Sequence, residues 1–218
     1  MNKHYDLIVF DWDGTLMDST AVIVGSIQAA CRDLDLEAPD DETARHVIGL
    51  GLDQALRYAV PNAPESLREP LVARYRHHFL AHDRTIPLFS GAREAIAELH
   101  SAGYLLGVAT GKSRMGLNRS LESSGLKGYF HATRTADQTF SKPHPAMLFE
   151  IMSELAIEPA RTLMVGDTTH DVQLAQNASV DVVAIGHGAH PAAQLQELNP
   201  LALVGNFTEL RAWLKSNA

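Results

Sequence analysis

Two carboxylates two residues apart, Asp11 and Asp13, follow the apolar run Leu7-Ile8-Val9-Phe10 and precede Gly14-Thr15. The run is too short for a helix and rich in β-formers, so it reads as a buried strand that stops at an acid. Open parallel sheets bind ligands beyond the carboxyl ends of their strands, which puts Asp11 and Asp13 at the mouth of a crevice. Two other meanings compete with chemistry. Asp13-Gly14 between apolar runs is a hairpin-turn signal. Asp-x-Asp-Gly also opens a calcium loop, but an EF-hand needs glycine sixth and glutamate twelfth; counted from Asp11, those places hold Leu16 and Val22.

Further polar residues stand where later apolar runs end. Thr110-Gly111 follows the run 104–109, Gly166-Asp167 follows 162–165, and Lys142 lies in a loop before Pro143. In one doubly wound sheet these groups converge, and three carboxylates brought together repel one another unless a cation sits between them. Oxygen ligands that retain some water suit Mg²⁺. Singly, each residue has a bland meaning. A lysine before proline is ordinarily a solvated loop residue, Gly-Asp after a strand is often a turn, and Thr110 or Asp171 could be a helix cap.

The elements that must position these groups are readable from apolar spacing. An amphipathic helix is predicted over 19–34, capped by Asp18 or Ser19, followed by short helices over 43–48 and 52–60 and a longer one from residue 65. No strand candidate occurs between Leu16 and Arg84. From Pro87 onward helices (91–102, 114–124, 146–156, 171–177, 207–215) alternate with strands (104–109, 130–133, 162–165, 182–185, 202–204), a βαβ pattern that implies a mainly parallel sheet. The expected fold is α/β: a doubly wound, Rossmann-like core of residues 1–15 and 85–218, with an α-helical cap domain inserted at 16–84.

The composition removes several function classes. A net charge of −8 over 218 residues provides no basic field for nucleic acid or an anionic membrane. No run approaches the length of a membrane span and the N-terminus has no signal-peptide pattern, so a cytoplasmic setting is expected. The single Cys31 lies on an apolar stripe with Ile23, Ile27 and Leu34, a packed thiol rather than part of a disulfide framework. Of the 11 histidines, His78 and His82 share a helical face, but no third ligand accompanies them and zinc is not expected there.

Taken in order, these groups resemble the haloacid dehalogenase superfamily. Asp11-Trp12-Asp13-Gly14-Thr15-Leu16 matches its first motif, Thr110-Gly111 its second, Lys142-Pro143 its third and Gly166-Asp167-Thr168-Thr169-His170-Asp171 its fourth. The helical insertion after the first strand resembles the small cap of the phosphoglycolate-phosphatase-like branch. The resemblance implies that Asp11 is a nucleophile, already ionised at neutral pH, that accepts a phosphoryl group. It makes Asp13 the general acid and then the base, with a pKa raised once substrate is bound. Mg²⁺ would be held by the Asp11 side chain, the Asp13 main-chain carbonyl and Asp167, with Asp171 in support. Thr110, Gly111 and their backbone N–H groups would bind phosphoryl oxygens, and Lys142 would neutralise charge.

The implied partner is a small phosphorylated metabolite, and the assembly a monomer or homodimer. Asp13 points to phosphate esters or anhydrides, because carbon–halogen and carbon–phosphorus cleaving branches lack it. Alternatives on the same residues are a phosphomutase similar to β-phosphoglucomutase, an inorganic pyrophosphatase, and a non-catalytic metal-binding module. Three departures from the branch bear on substrate: Thr-Gly-Lys in place of Thr-Asn-Lys, Ser179 in place of a frequent glycine, and His187-Gly188 in place of Trp-Gly.

Overall fold

The computed structural model describes residues 4–218. Six strands, β1 (Leu7–Phe10), β2 (Leu105–Thr110), β3 (Ala132–Thr135), β4 (Thr162–Gly166), β5 (Asp181–Ile185) and β6 (Ala202–Val204), form one sheet in the order β3-β2-β1-β4-β5-β6. Every pairing is parallel. The chain first builds outward from β1 to β2 and β3, then returns to place β4 on the other side of β1, so the topological switch point lies beside β1.

Alternation along each strand divides the core. Ile8, Phe10, Leu106, Val108, Leu163 and Val165 pack on one face, and Leu7, Val9, Ala109 and Met164 on the other. Of the helices between β1 and β2 in sequence, the first four are α1 (Thr20–Arg32), α2 (Asp41–His46), α3 (Leu52–Ala59) and α4 (Arg68–Leu80), with a 3-10 turn at Glu65–Leu67 before α4. The first apolar cluster continues without a break into Ile27, Leu56 and Leu71 of these helices. It is also covered by α5 (Ala92–Ser101), α6 (Arg114–Ser123) and the C-terminal helix, while α7 (Ala146–Leu155), α8 (Thr169–Asn177) and α9 (Ala192–Glu197) cover the second; the chain closes with α10 (Phe207–Asn217).

Several boundaries differ from the sequence expectation for local reasons. The third strand begins at Ala132 rather than residue 130, because Phe130 packs edge-on against Trp12, with ring centroids 6.2 Å apart, before the ladder starts. The helix expected from residue 171 begins at Thr169. Thr168 is its N-cap and Asp171 its third residue, the two side chains closing a capping box, so Asp171 is not itself the N-cap. Asp40 likewise caps α2 and starts it two residues early. The six-residue α9 was not expected, since Ala192-Ala193-Gln194-Leu195-Gln196-Glu197 carries one buried leucine and no repeating stripe. Ser179 has φ of 56°, the left-handed region, which accounts for glycine being frequent there in the resembling branch.

Candidate active site

The register of the central strands brings the candidate residues to one edge. Phe10 is level with Val108 on one side and Val165 on the other, so Asp11, Thr110 and Asp167 emerge together at the carboxyl ends. Asp11, Thr110, Lys142, Asp167 and Asp171 are all essentially buried. Carboxylate oxygens of Asp11, Asp167 and Asp171 lie within 4.8 Å of one another, the one such acidic or imidazole cluster among the described residues. His78 is elsewhere, paired through Nε2 to Asp33 at 2.8 Å.

Lys142 reaches this cluster from the loop before α7, across a cis Lys142–Pro143 peptide, with Nζ 2.6 Å from Asp11 Oδ1 and 2.7 Å from Asp171 Oδ1. Burial alone would lower its pKa, but the two carboxylates more than offset this and hold it above the ordinary lysine range. Burial, opposed by Lys142 and reinforced by Asp171 and Asp167, pushes Asp11 well above the carboxylate range. The same cause, with Asp171 adding to it, brings Asp167 to about 7. One ammonium does not balance three buried carboxylates. Asp11 Oδ2 is buried with no hydrogen-bond partner, an uncommon condition for a charged oxygen. A hard divalent cation fits this donor set.

The remaining contacts fix the carboxylates. Asp167 accepts from Thr15 Oγ1 at 2.6 Å and from the Ala189 N–H at 2.7 Å. Glycines flank it on two sides: a Cβ on Gly14 would lie 2.2 Å, and one on Gly188 2.0 Å, from Asp167 Oδ2. Asp171 Oδ2 accepts from the backbone N–H and the hydroxyl of Thr168. The first and fourth motifs therefore build one interlocked unit rather than two adjacent loops. His187 stands where the resembling branch has tryptophan and keeps an aromatic role, stacked 3.8 Å from Phe89 while Nε2–H donates to the Thr15 carbonyl.

Asp13 stands apart from the acidic cluster. Its carboxylate accepts from Ser19 Oγ at 2.7 Å and from Lys112 Nζ at 3.0 Å, and it faces a cavity of about 650 Å³ between the sheet edge and helices α1, α3 and α4. Lys112 was visible in Thr110-Gly111-Lys112 but had no role assigned from sequence; its position next to the second motif was the available signal. Thr110 Oγ1 accepts from the Lys112 N–H at 3.2 Å. Gly111 lies directly beneath the segment 49–51, and a Cβ there would come 2.3 Å from the Leu50 carbonyl oxygen and 2.5 Å from that of Gly49.

Other residues tie the helical insert to the fourth motif and were not foreseen. The His46 carbonyl accepts from His170 Nε2 at 2.8 Å and from His190 Nε2 at 3.1 Å, and the His46 ring stacks on His190 at 5.0 Å. The Thr169 N–H donates to His190 Nδ1, which leaves the proton of the neutral ring on Nε2. Burial, then the neighbouring His170, lowers the His190 pKa to about 4. The signal was thin, because scattered histidines have no spacing that reports contact across the fold.

The all-parallel sheet in this order, with carboxylates meeting at its switch point, defines a doubly wound α/β core with a candidate site at the carboxyl ends of its strands. Residues 8–185 match the family model described as haloacid dehalogenase-like hydrolase, and the chain belongs to that family. It is 35% identical over 210 residues to a protein named probable phosphatase IndB from Dickeya dadantii, covering 94% of this chain and 91% of that one. It is 28% identical to a phosphoglycolate phosphatase from Nitrosococcus oceani over the full length of both. The fold is shared with a crystal structure described as a predicted phosphoglycolate phosphatase from Haemophilus somnus, at a TM-score of 0.86 and 24% identity, covering 98% and 99% of the two chains. Among the described residues no helix is long and apolar enough to cross a membrane.

Proposed function

We propose that this protein is a Mg²⁺-dependent phosphatase that hydrolyses a small phosphomonoester through an aspartyl phosphate on Asp11, the reaction type of phosphoglycolate phosphatase. The observation that carries the reading is the buried Asp11 Oδ2, free of hydrogen bonds, beside an ammonium and two further carboxylates. An oxygen so placed is available to attack phosphorus, and phosphoryl transfer asks the protein mainly for position and charge balance. The phosphatase names of relatives support the same reaction.

In this reading Asp11 displaces the leaving alkoxide, whose oxygen takes its proton from Asp13; Asp13 then removes a proton from the water that cleaves the aspartyl phosphate and frees Asp11 and inorganic phosphate. Thr110 and the N–H groups around Gly111 hold phosphoryl oxygens. Lys142 neutralises charge on Asp11 and on the group in transfer. Asp11, Asp167 and the Asp13 main-chain carbonyl would hold Mg²⁺, with Asp171 in support, and the ion would supply further charge compensation at the phosphoryl oxygens. Lys112 must turn away from Asp13 before that carboxyl can carry a proton to the leaving group. Residues 16–84 act as the cap over the site, and the setting is cytoplasmic with a small phosphorylated metabolite as partner.

The test is phosphate release from phosphoglycolate, p-nitrophenyl phosphate and pyrophosphate with and without Mg²⁺, alongside glucose 1-phosphate as a probe of mutase activity. Steady ester hydrolysis that needs the ion and falls at least about a thousandfold in a folded Asp11→Asn variant is expected. Isomerised sugar phosphate without phosphate release would overturn hydrolysis in favour of a mutase.

A further inference from the structure

The cavity above Asp13 has a polar end and an apolar end. Asp13, Gly111, Lys112 and Ser141 line the end at the sheet; Ile23, Ile27, Val47, Leu56 and Phe79 line the end inside the helical insert. At about 650 Å³ it falls within the roughly 300–1,000 Å³ of sites that enclose drug-sized ligands, far more than a two-carbon acid fills. The stacked pair Tyr75 and Phe79, with rings 5.8 Å apart, forms a flat wall on α4.

The charges on the walls are already committed. Lys112, the cation nearest the reacting end, is bonded to Asp13 and lies 4.7 Å from the centroid of the Phe79 ring. Arg119 is paired at 2.8 Å with the buried Asp83. Arg76 also lines the cavity but is solvent-exposed, where an added ion pair gains little. Asp53 and Asp137 add two carboxylates to the lining. Lys112 has to leave Asp13 for any substrate to react, so a carboxylate-bearing leaving group finds no cation beyond that one without opening the Arg119–Asp83 pair, and it lies beside three acids. An uncharged, apolar-bodied one would cover wall that water otherwise wets. Tyr75, held protonated above the phenol range by burial and then by Asp13 and Asp83, adds a neutral phenol to the lining.

We infer that the cavity selects phosphomonoesters whose leaving group is uncharged and carries an apolar body about the size of a ring, in preference to short carboxylates such as glycolate. This rests on the phosphatase reading for its chemistry but on the cavity walls for its selectivity, so the two are tested apart. Two phosphonates with the same two-carbon chain, 2-phenylethylphosphonate and 3-phosphonopropionate, are titrated calorimetrically into the full-length protein with Mg²⁺. Hydrolysis of 2-phenylethyl phosphate and phosphoglycolate is measured in parallel, both being alkyl esters.

The expected result is at least tenfold tighter binding of the phenyl phosphonate and at least tenfold higher kcat/KM for the phenyl ester. Leu52→Asn, an uncharged polar change at a half-buried cavity position, should lower both phenyl values at least fivefold and leave affinity for inorganic phosphate unchanged. Equal or tighter binding of 3-phosphonopropionate, no binding of either phosphonate, or a Leu52→Asn variant that keeps full phenyl preference would overturn the inference. Phenyl preference in binding with no turnover of either ester would remove the phosphatase reading and leave the cavity assignment in place.

Discussion

At the sheet edge each Asp167 oxygen accepts a hydrogen bond, glycines press from two sides, and Lys142 links Asp11 to Asp171. Above it, the cavity walls are apolar side chains from three helices, with ion pairs that a bound molecule can rearrange. The first region is built so that nothing moves when charge develops, which is what electrostatic catalysis requires. The second is lined by side chains and ion pairs that can rearrange around a bound molecule. In the proposed reaction the edge sets the chemistry and the cavity the leaving group.

Breaking the edge should have the largest effect. Lys142→Met leaves Asp11 and Asp171 buried without their counter-charge, an expected loss of about 3–5 kcal/mol in chemical denaturation with chelator present. Phosphatase activity should fall at least about a hundredfold in the same variant. By contrast, substitutions on the cavity wall should change the ranking of substrates more than the stability.

The histidines joining the two regions give the comparison a pH dependence. His190 is buried with its folded pKa lowered from 6.5 to about 4, so the unfolded chain takes up a proton first as pH falls. Its contribution is fully present above pH 6.5 and is lost between there and pH 4, roughly 3 kcal/mol in all. Asp11 and Asp167, raised by burial, act in the opposite sense without a cation, gaining native stability as they protonate. The difference between wild type and His190→Asn in unfolding free energy across pH 4–7 isolates the histidine term; a flat difference would refute it.

Smaller effects sharpen the picture. Gly188→Ala drives a methyl into Asp167 Oδ2, and should cost about 1–3 kcal/mol and weaken Mg²⁺ binding measured by calorimetry. Ser179→Gly relieves a left-handed residue remote from the chemistry, and should stabilise by about 1 kcal/mol with kcat and KM unchanged.

Much of the edge was legible because it is local. A short apolar run that ends in an acid announces a strand and a site together, and two such endings, with Thr110 after a third run and Lys142 from a loop, specify which groups meet. The reasons for individual glycines were not legible, since Gly14 and Gly188 are small on account of Asp167, a residue more than twenty positions from either. Lys112 was readable as a letter but not as the partner of Asp13. The cavity's character was hidden for a different reason: Ile23, Val47, Leu56 and Phe79 look like any helical core in sequence, and only their failure to close on one another leaves room for a ligand. The His46, His170 and His190 contact joins parts of the chain that no periodicity relates.

The bare backbone at Gly111 lets the Gly49 and Leu50 carbonyls settle onto the loop that follows β2. An asparagine in that place would act as a spacer, lifting the helical roof by the thickness of a side chain. A single codon thus sets how closely residues 49–51 approach the loop that follows β2.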